Sequence, residues 1–173
     1  NLEKQEVDEI LQKMGITLPA DYVEKNLKYY LARTSHGSTL SRVVHAHLAN
    51  LIGDKKLGWE LYLDALTSDY QDIQGGTTAE GIHSGVMAGT VWIAITTFGG
   101  LSLHGEWPVF RPNLPDRWQK ISFGFDFRGN EYEAEVSRNT LRIRAEGKAD
   151  RLPIELNGKH ISLETGVWSE FSY

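Results

Sequence analysis

Three short blocks of this chain carry side chains that could do chemistry. They are Lys4-Gln5, His36-Gly37-Ser38-Thr39-Leu40-Ser41 and Gly75-Gly76-Thr77-Thr78-Ala79-Glu80-Gly81-Ile82-His83. The second and third are Gly/Ser/Thr/His segments, and each runs straight into a long apolar stretch with helical spacing. A helix start offers backbone N–H groups without intrahelical partners and the positive end of the helix dipole, which together suit an anion such as phosphate. Gly37 lets the backbone approach a ligand closely. Lys4 supplies charged donors and Gln5 both donates and accepts, a pair that suits sugar hydroxyls.

Each block also has a purely structural reading. Ser38 or Thr39 suits an N-cap. Thr77 with Glu80 fits a capping box, and Gly75-Gly76 a turn. His36 and His83 could be satisfied structural imidazoles, and Lys4 a solvated charge. No metal site is expected: His45 and His47 are two residues apart and so leave a helix on different faces, and the chain has no cysteine. No GxSxG, P-loop or HExxH motif occurs. Asp54, Asp64, Asp69 and Asp72 are spread over helix surfaces and loops and do not single out a catalytic pair. Trp92, Trp107, Trp118 and Trp168 could stack on sugar rings or fill a core.

The elements that must position these residues fall into two halves. Up to Phe98 the apolar spacing is helical. Leu2, Val7, Ile10, Leu11 and Met14 share one face, and Gly15 would stop that helix. Pro19 sits where a second helix would start, with Tyr22, Val23, Leu27, Tyr30 and Leu31 as its core face. A third helix begins near Ser38 or Thr39 and has so few polar positions that burial on most sides is expected. Gly53-Asp54 reads as a C-terminal glycine followed by an N-cap, and a fourth helix runs to about Thr67. A fifth is expected from Thr77–Ala79, with His83 one turn inside it and Gly81, Gly85 and Gly89 lining one tightly packed face.

After Gly100 the period becomes two. Ile121 to Phe127, Tyr132 to Val136, Leu141 to Arg144, Ile154 to Leu156 and Ile161 to Leu163 alternate as strands do. Arg128-Gly129-Asn130, Arg138-Asn139 and Asn157-Gly158 supply turns, the last a strong hairpin signal. Helices first and strands after give two modules, residues 1–98 helical and 99–173 an antiparallel β-sandwich.

Bulk properties narrow the function classes. The 173 residues are 40% hydrophobic and 24% charged, as in ordinary globular domains. A net charge of −5 favours neither nucleic acid nor an anionic membrane. The longest apolar run, Gly81–Phe98, is broken by His83, Ser84, Thr90, Thr96 and Thr97, so no membrane span is expected. The absence of cysteine fits a cytoplasmic protein. The first residue is Asn, which suggests a piece of a longer protein. Five helices cannot close a large barrel alone, so an exposed apolar surface is expected.

Taken in order, the blocks resemble the C-terminal portion of the family 65 glycoside phosphorylases, which include maltose, trehalose and kojibiose phosphorylases together with related hydrolases. The resemblance runs over Lys4-Gln5-Glu6-Val7, Ser35 to Ala46, Asp72 to His83, Met87-Ala88-Gly89-Thr90 and Phe110 to Pro115, with Glu6 standing where the family usually has Ala. It implies the last helices of an (α/α)6 barrel followed by a small β-sandwich. It further implies inverting phosphorolysis of an α-glucosyl disaccharide to β-glucose 1-phosphate and a free sugar.

On that resemblance Lys4 and Gln5 lie at the glucosyl subsite. His36, Ser38, Thr39, Gly81, Ile82 and His83 bind phosphate. The general acid is a Glu upstream of Asn1, so no catalytic residue is named within the chain. Inorganic phosphate is a co-substrate; no organic cofactor or metal is implied, and a homodimer is expected of the complete protein. The motif forms look closer to trehalose- or kojibiose-type members than to maltose-type ones. Two other readings stay open: a hydrolase of the same family, trehalase-like, and a non-catalytic sugar-binding or structural module.

Overall fold

The computed structural model describes residues 4–35, 38–71 and 81–173, with the side chains of Lys4 and Gln5 also outside the description. The chain divides into two units, Asn1–Met87 and Ala88–Tyr173.

In the first unit, α1 spans Lys4–Lys13, α2 Tyr22–Leu31, α3 Leu40–Leu51, α4 Lys55–Leu66 and the short α5 Ser68–Gln71. α1 ends as its glycine predicts. The N–H of Gly15 reaches Gln12 O at 3.0 Å and that of Ile16 reaches Leu11 O at 2.9 Å, which satisfies carbonyls the helix leaves open. α2 starts three residues after Pro19, because Pro19 to Asp21 form a turn whose carbonyl at Pro19 accepts the Tyr22 N–H.

The α3–α4 corner follows the sequence closely. Gly53 adopts φ +82°, and the Asp54 N–H returns to Ala49 O at 2.9 Å. The Asp54 carboxylate then accepts the Leu57 N–H at 3.0 Å and caps α4. The two helices approach closely at Gly58, where a Cβ would come within 2.2 Å of Asn50 Nδ2. Leu27, Val43, Ala46, Ala49, Leu61, Tyr62 and Ala65 are buried.

Burial of α3 on most sides is not what is found. Leu40, Val44 and Leu51 are each about half exposed (48%, 51% and 55%), because the described helices cover only the face that carries Val43, Ala46 and Ala49. With Met14, Tyr29, Tyr30 and Tyr70 also exposed, the unit presents the apolar surface expected of helices from a larger assembly.

α6 spans Ser84–Ile93 and passes into a π-helical segment, Ala94–Phe98, closed by the Gly99 N–H on Ala94 O at 2.9 Å. The helix therefore starts later than Thr77–Ala79. Residues 81–83 are not helical, Gly81 has φ +101°, and the small-residue face shrinks to Gly85 and Gly89. A Cβ on Gly85 would meet nothing within 4 Å, so no tight packing forms there among the described residues. The capping box proposed for Thr77 and Glu80 lies outside the described residues.

The second unit holds eight strands: β1 Leu101–Ser102, β2 Val109–Phe110, β3 Lys120–Phe127, β4 Asn130–Ser137, β5 Thr140–Glu146, β6 Arg151–Leu156, β7 Lys159–Glu164 and β8 Ser169–Ser172. They form two four-stranded sheets, ordered β1-β2-β6-β7 and β3-β4-β5-β8. Alternation decides which side chains go inward. β4 buries Tyr132, Ala134 and Val136, and β5 buries Leu141, Ile143 and Ala145, while the intervening Glu and Arg residues face outward.

These side chains meet Phe110, Leu152, Ile154, Leu156 and Leu163 of the other sheet in one core, which makes the module a sandwich. Among the described residues the sandwich is antiparallel as expected in every pairing but one. β2 pairs with β6 in parallel, Val109 opposite Glu155 and Phe110 opposite Leu156, because residues 111 to 150 leave β2 and return through the other sheet. The other pairings among the described residues are antiparallel. Hairpins close at Arg128-Gly129 and Asn157-Gly158, all four with positive φ as a two-residue type I′ turn requires.

Candidate functional site

Two helix starts carry the predicted anion ligands. At α3, Thr39 occupies the N-cap position with helical φ and ψ of −60° and −27°, and its side chain makes no capping hydrogen bond among the described residues. The structural reading of this threonine as an ordinary cap therefore fails. Its side chain is buried at 3% exposure, next to an exposed Ser38. The Ser38 carbonyl accepts both the Ser41 N–H, at 3.2 Å, and the Ser41 hydroxyl, at 2.7 Å, so the first turn is tight. His36 and Gly37 lie outside the described residues, as do the side chains of Lys4 and Gln5.

At α6 the predicted residues Gly81, Ile82 and His83 form the non-helical approach to the helix. Ile82 is 80% exposed, and His83 stands immediately before Ser84, not one turn inside the helix as its sequence position suggested. Its carbonyl accepts the first helical N–H groups, from Val86 at 2.9 Å and Met87 at 3.1 Å. The cause of the shift is Gly81: its φ of +101° cannot continue a helix.

The hydrogen bonding here joins His83 to Asp69, a residue the sequence did not single out. Asp69 Oδ1 lies 2.7 Å from the imidazole Nδ1, and Oδ2 accepts the backbone N–H of His83 at 2.9 Å. The Asp69 side chain is 11% exposed and that of His83 29%. The hydrogen bond from the imidazole is the main reason the Asp69 carboxyl is held below its usual range, with the backbone N–H adding to it against the effect of burial. No signal in the sequence marks this pair: the two residues are fourteen positions apart and share no periodicity.

A second residue unmarked by the sequence reading is Arg42, in the first turn of α3. Its side chain is 12% exposed, sits 3.8 Å from an Asp64 carboxylate oxygen through Nε, and keeps a buried Nη1 without a hydrogen-bond partner among the described residues. A cation held this way adds positive charge at the helix start that carries Ser38 and Thr39.

The two histidines weighed as metal ligands share one environment effect. His45 is buried in α3, and burial lowers its affinity for a proton; His47 is pushed the same way by the same cause. Among the described residues no three His, Cys, Asp or Glu side chains gather as a metal would need, and no helix is long and apolar enough to cross a membrane. Three of the tryptophans engage protein side chains in the second unit. Trp118 meets Phe98 edge-on, Trp107 meets His160, and Trp168 lies under the Arg142 guanidinium at 4.3 Å.

The described residues thus build a helical segment followed in sequence by a two-sheet β-sandwich. Comparison with known proteins gives the family. Residues 6–92 match the model of the glycosyl hydrolase family 65 central catalytic domain, and residues 101–163 match that of the family 65 C-terminal domain. The chain belongs to glycosyl hydrolase family 65.

Among its relatives, a trehalose 6-phosphate phosphorylase of Lactococcus lactis is 38% identical over 99% of this chain and 22% of its own length. A kojibiose phosphorylase of Caldanaerobacter subterraneus is 28% identical over 86% of this chain and 20% of its own. A solved structure assigned as a kojibiose phosphorylase from the human microbiome matches with a TM-score of 0.75 and 26% identity, covering 90% of this chain and 22% of that one. The chain thus spans about a fifth of the length of these two curated relatives.

Proposed function

We propose that the complete protein is an inverting disaccharide phosphorylase that cleaves an α-glucosyl disaccharide with phosphate, giving β-glucose 1-phosphate and a free sugar. The observation that carries this reading is the conjunction of family membership with relatives named as phosphorylases over this stretch. The helix start at His83 agrees with it.

The chemistry explains why such residues would be needed. An inverting hydrolase requires a general acid for the leaving oxygen and a general base to activate water. Phosphate is already anionic near neutral pH, so a phosphorylase keeps the acid and replaces the base with an anion cradle. In this proposal Ser38 and Thr39, the backbone at Gly81 and Ile82, His83 and the His36 segment form the cradle. Lys4 and Gln5 hold the glucosyl unit. The acid, a Glu, belongs to a part of the protein outside these residues. The complete enzyme is read as a cytoplasmic homodimer with no metal or organic cofactor.

A hydrolase is the second reading. It is favoured by a relative named only as an uncharacterized glycosyl hydrolase of Mycobacterium tuberculosis, 33% identical over 95% of this chain. The deciding experiment incubates the complete protein with trehalose, trehalose 6-phosphate, kojibiose, nigerose and maltose, with and without phosphate. Phosphate-dependent β-glucose 1-phosphate is the expected product. Glucose release that ignores phosphate refutes the proposal and removes the anion role from Ser38, Thr39 and His83.

A further inference from the structure

We propose that Asp69 is the positioning residue for His83: one carboxylate oxygen receives the imidazole Nδ1–H and the other the His83 backbone N–H, so that the Nε2 edge is offered to phosphate at the start of α6. This inference rests on the phosphate reading given above.

The geometry supplies the argument. Both oxygens of Asp69 are used, at 2.7 Å and 2.9 Å, and both bonds end on the same residue. One bond fixes where the backbone of His83 stands and the other fixes how its ring is turned. An ionised carboxylate can only accept, so Nδ1 must carry the hydrogen, and the neutral ring then has its lone pair on Nε2. Nε2 lies on the edge of the ring turned away from Nδ1, and therefore away from Asp69. Asp69 is the more buried partner and His83 the more open one, as expected of a support and the group it presents.

The arrangement serves an anion in either protonation state. A phosphate monoanion donates its O–H to Nε2. If that proton moves onto Nε2, the imidazolium N–H donates to the resulting dianion, and the Asp69 charge balances the cation. No charge is created or lost in that exchange. An Asn at position 69 keeps the size but loses the charge, and its NH2 would face the His83 backbone N–H or Nδ1–H, donor against donor.

The test uses the complete protein with inorganic phosphate and the disaccharide found to be its substrate. Expected results are that His83→Gln and Asp69→Asn each raise the KM for phosphate about tenfold, the scale of one charge-assisted hydrogen bond, and leave the KM for the disaccharide within about twofold, a few tenths of a kcal/mol. The double variant should be no worse than His83→Gln alone.

A phosphate KM unmoved by His83→Gln overturns the anion site itself, and this inference with it. A phosphate KM raised by His83→Gln but unmoved by Asp69→Asn overturns the role of Asp69 alone. Loss in both substrates that adds to the His83→Gln loss marks Asp69 as merely structural and also overturns it. Nitrogen-15 NMR of the complete, unmutated protein supplies a readout that no misfolded variant can block. His83 should be the Nδ1-protonated tautomer, and an Nε2-protonated one overturns the inference.

Discussion

Gly100 sits where the helical half hands over to the strands, and replacing it by alanine tests the backbone reading of that junction. Its φ of +74° is one an L side chain adopts at a penalty of ~1–2 kcal/mol. The new Cβ would stand 2.1 Å from the carbonyl oxygen of Arg111, 2.2 Å from its carbon and 2.5 Å from the nitrogen of Pro112. All three atoms are backbone, so no side chain can swing aside. Relief requires the Arg111–Pro112 backbone to move, at a penalty of ~1–3 kcal/mol typical of overpacking. That movement also loosens the bond from the Arg111 N–H to Gly100 O, now 2.8 Å and worth ~1 kcal/mol net.

Together these make Gly100→Ala destabilising by about 3–6 kcal/mol, a large share of the ~5–15 kcal/mol of a whole domain. Gly129→Ala is the internal control. Gly129 has nearly the same φ, +77°, and nothing within 4 Å of its Cβ, so only the conformational penalty of ~1–2 kcal/mol applies. Urea unfolding of both variants, followed by tryptophan fluorescence, reads the difference. Equal destabilisation, within about 0.5 kcal/mol, would refute the close approach of residue 100 to the Arg111–Pro112 backbone.

Other predictions follow from the same geometry. Ile143→Ala empties a fully buried position between the two sheets and should destabilise the sandwich by ~2–5 kcal/mol in the same assay. Asp54→Ala removes the acceptor of the Leu57 N–H and should weaken the helical unit by ~1 kcal/mol, visible as a lower melting temperature by circular dichroism. The Asp69 carboxyl is held below its unfolded value of ~3.9 chiefly by its bond to His83. Its contribution is therefore present above about pH 4 and is lost as pH falls through the lower folded value. Asp69→Asn should flatten that part of the acid unfolding curve, and an unchanged acid limb would contradict the assignment.

The sequence by itself determined the order of modules, the turns and most helix ends. These are local matters. A period of two or of 3.6, an Asn-Gly pair, or a glycine followed by an N-cap aspartate constrains only a few neighbouring residues, so the pattern reports the structure directly. It also determined the family, because several blocks in fixed order specify far more than any one of them.

Only the tertiary structure decided what depends on residues distant in the chain. The two-residue strands β1 and β2 are too short to show a period, and the parallel pairing of β2 with β6 joins segments more than forty residues apart. An exposed apolar surface is expected from the sequence, but that α3 carries part of it is not, because composition says that a face wants cover and not whether a neighbour supplies it. At the candidate site the sequence supplied His83 but placed it inside a helix and passed over Asp69. The positive φ of Gly81 delays the helix, and the Asp69–His83 contact joins residues fourteen positions apart, which no local period reports.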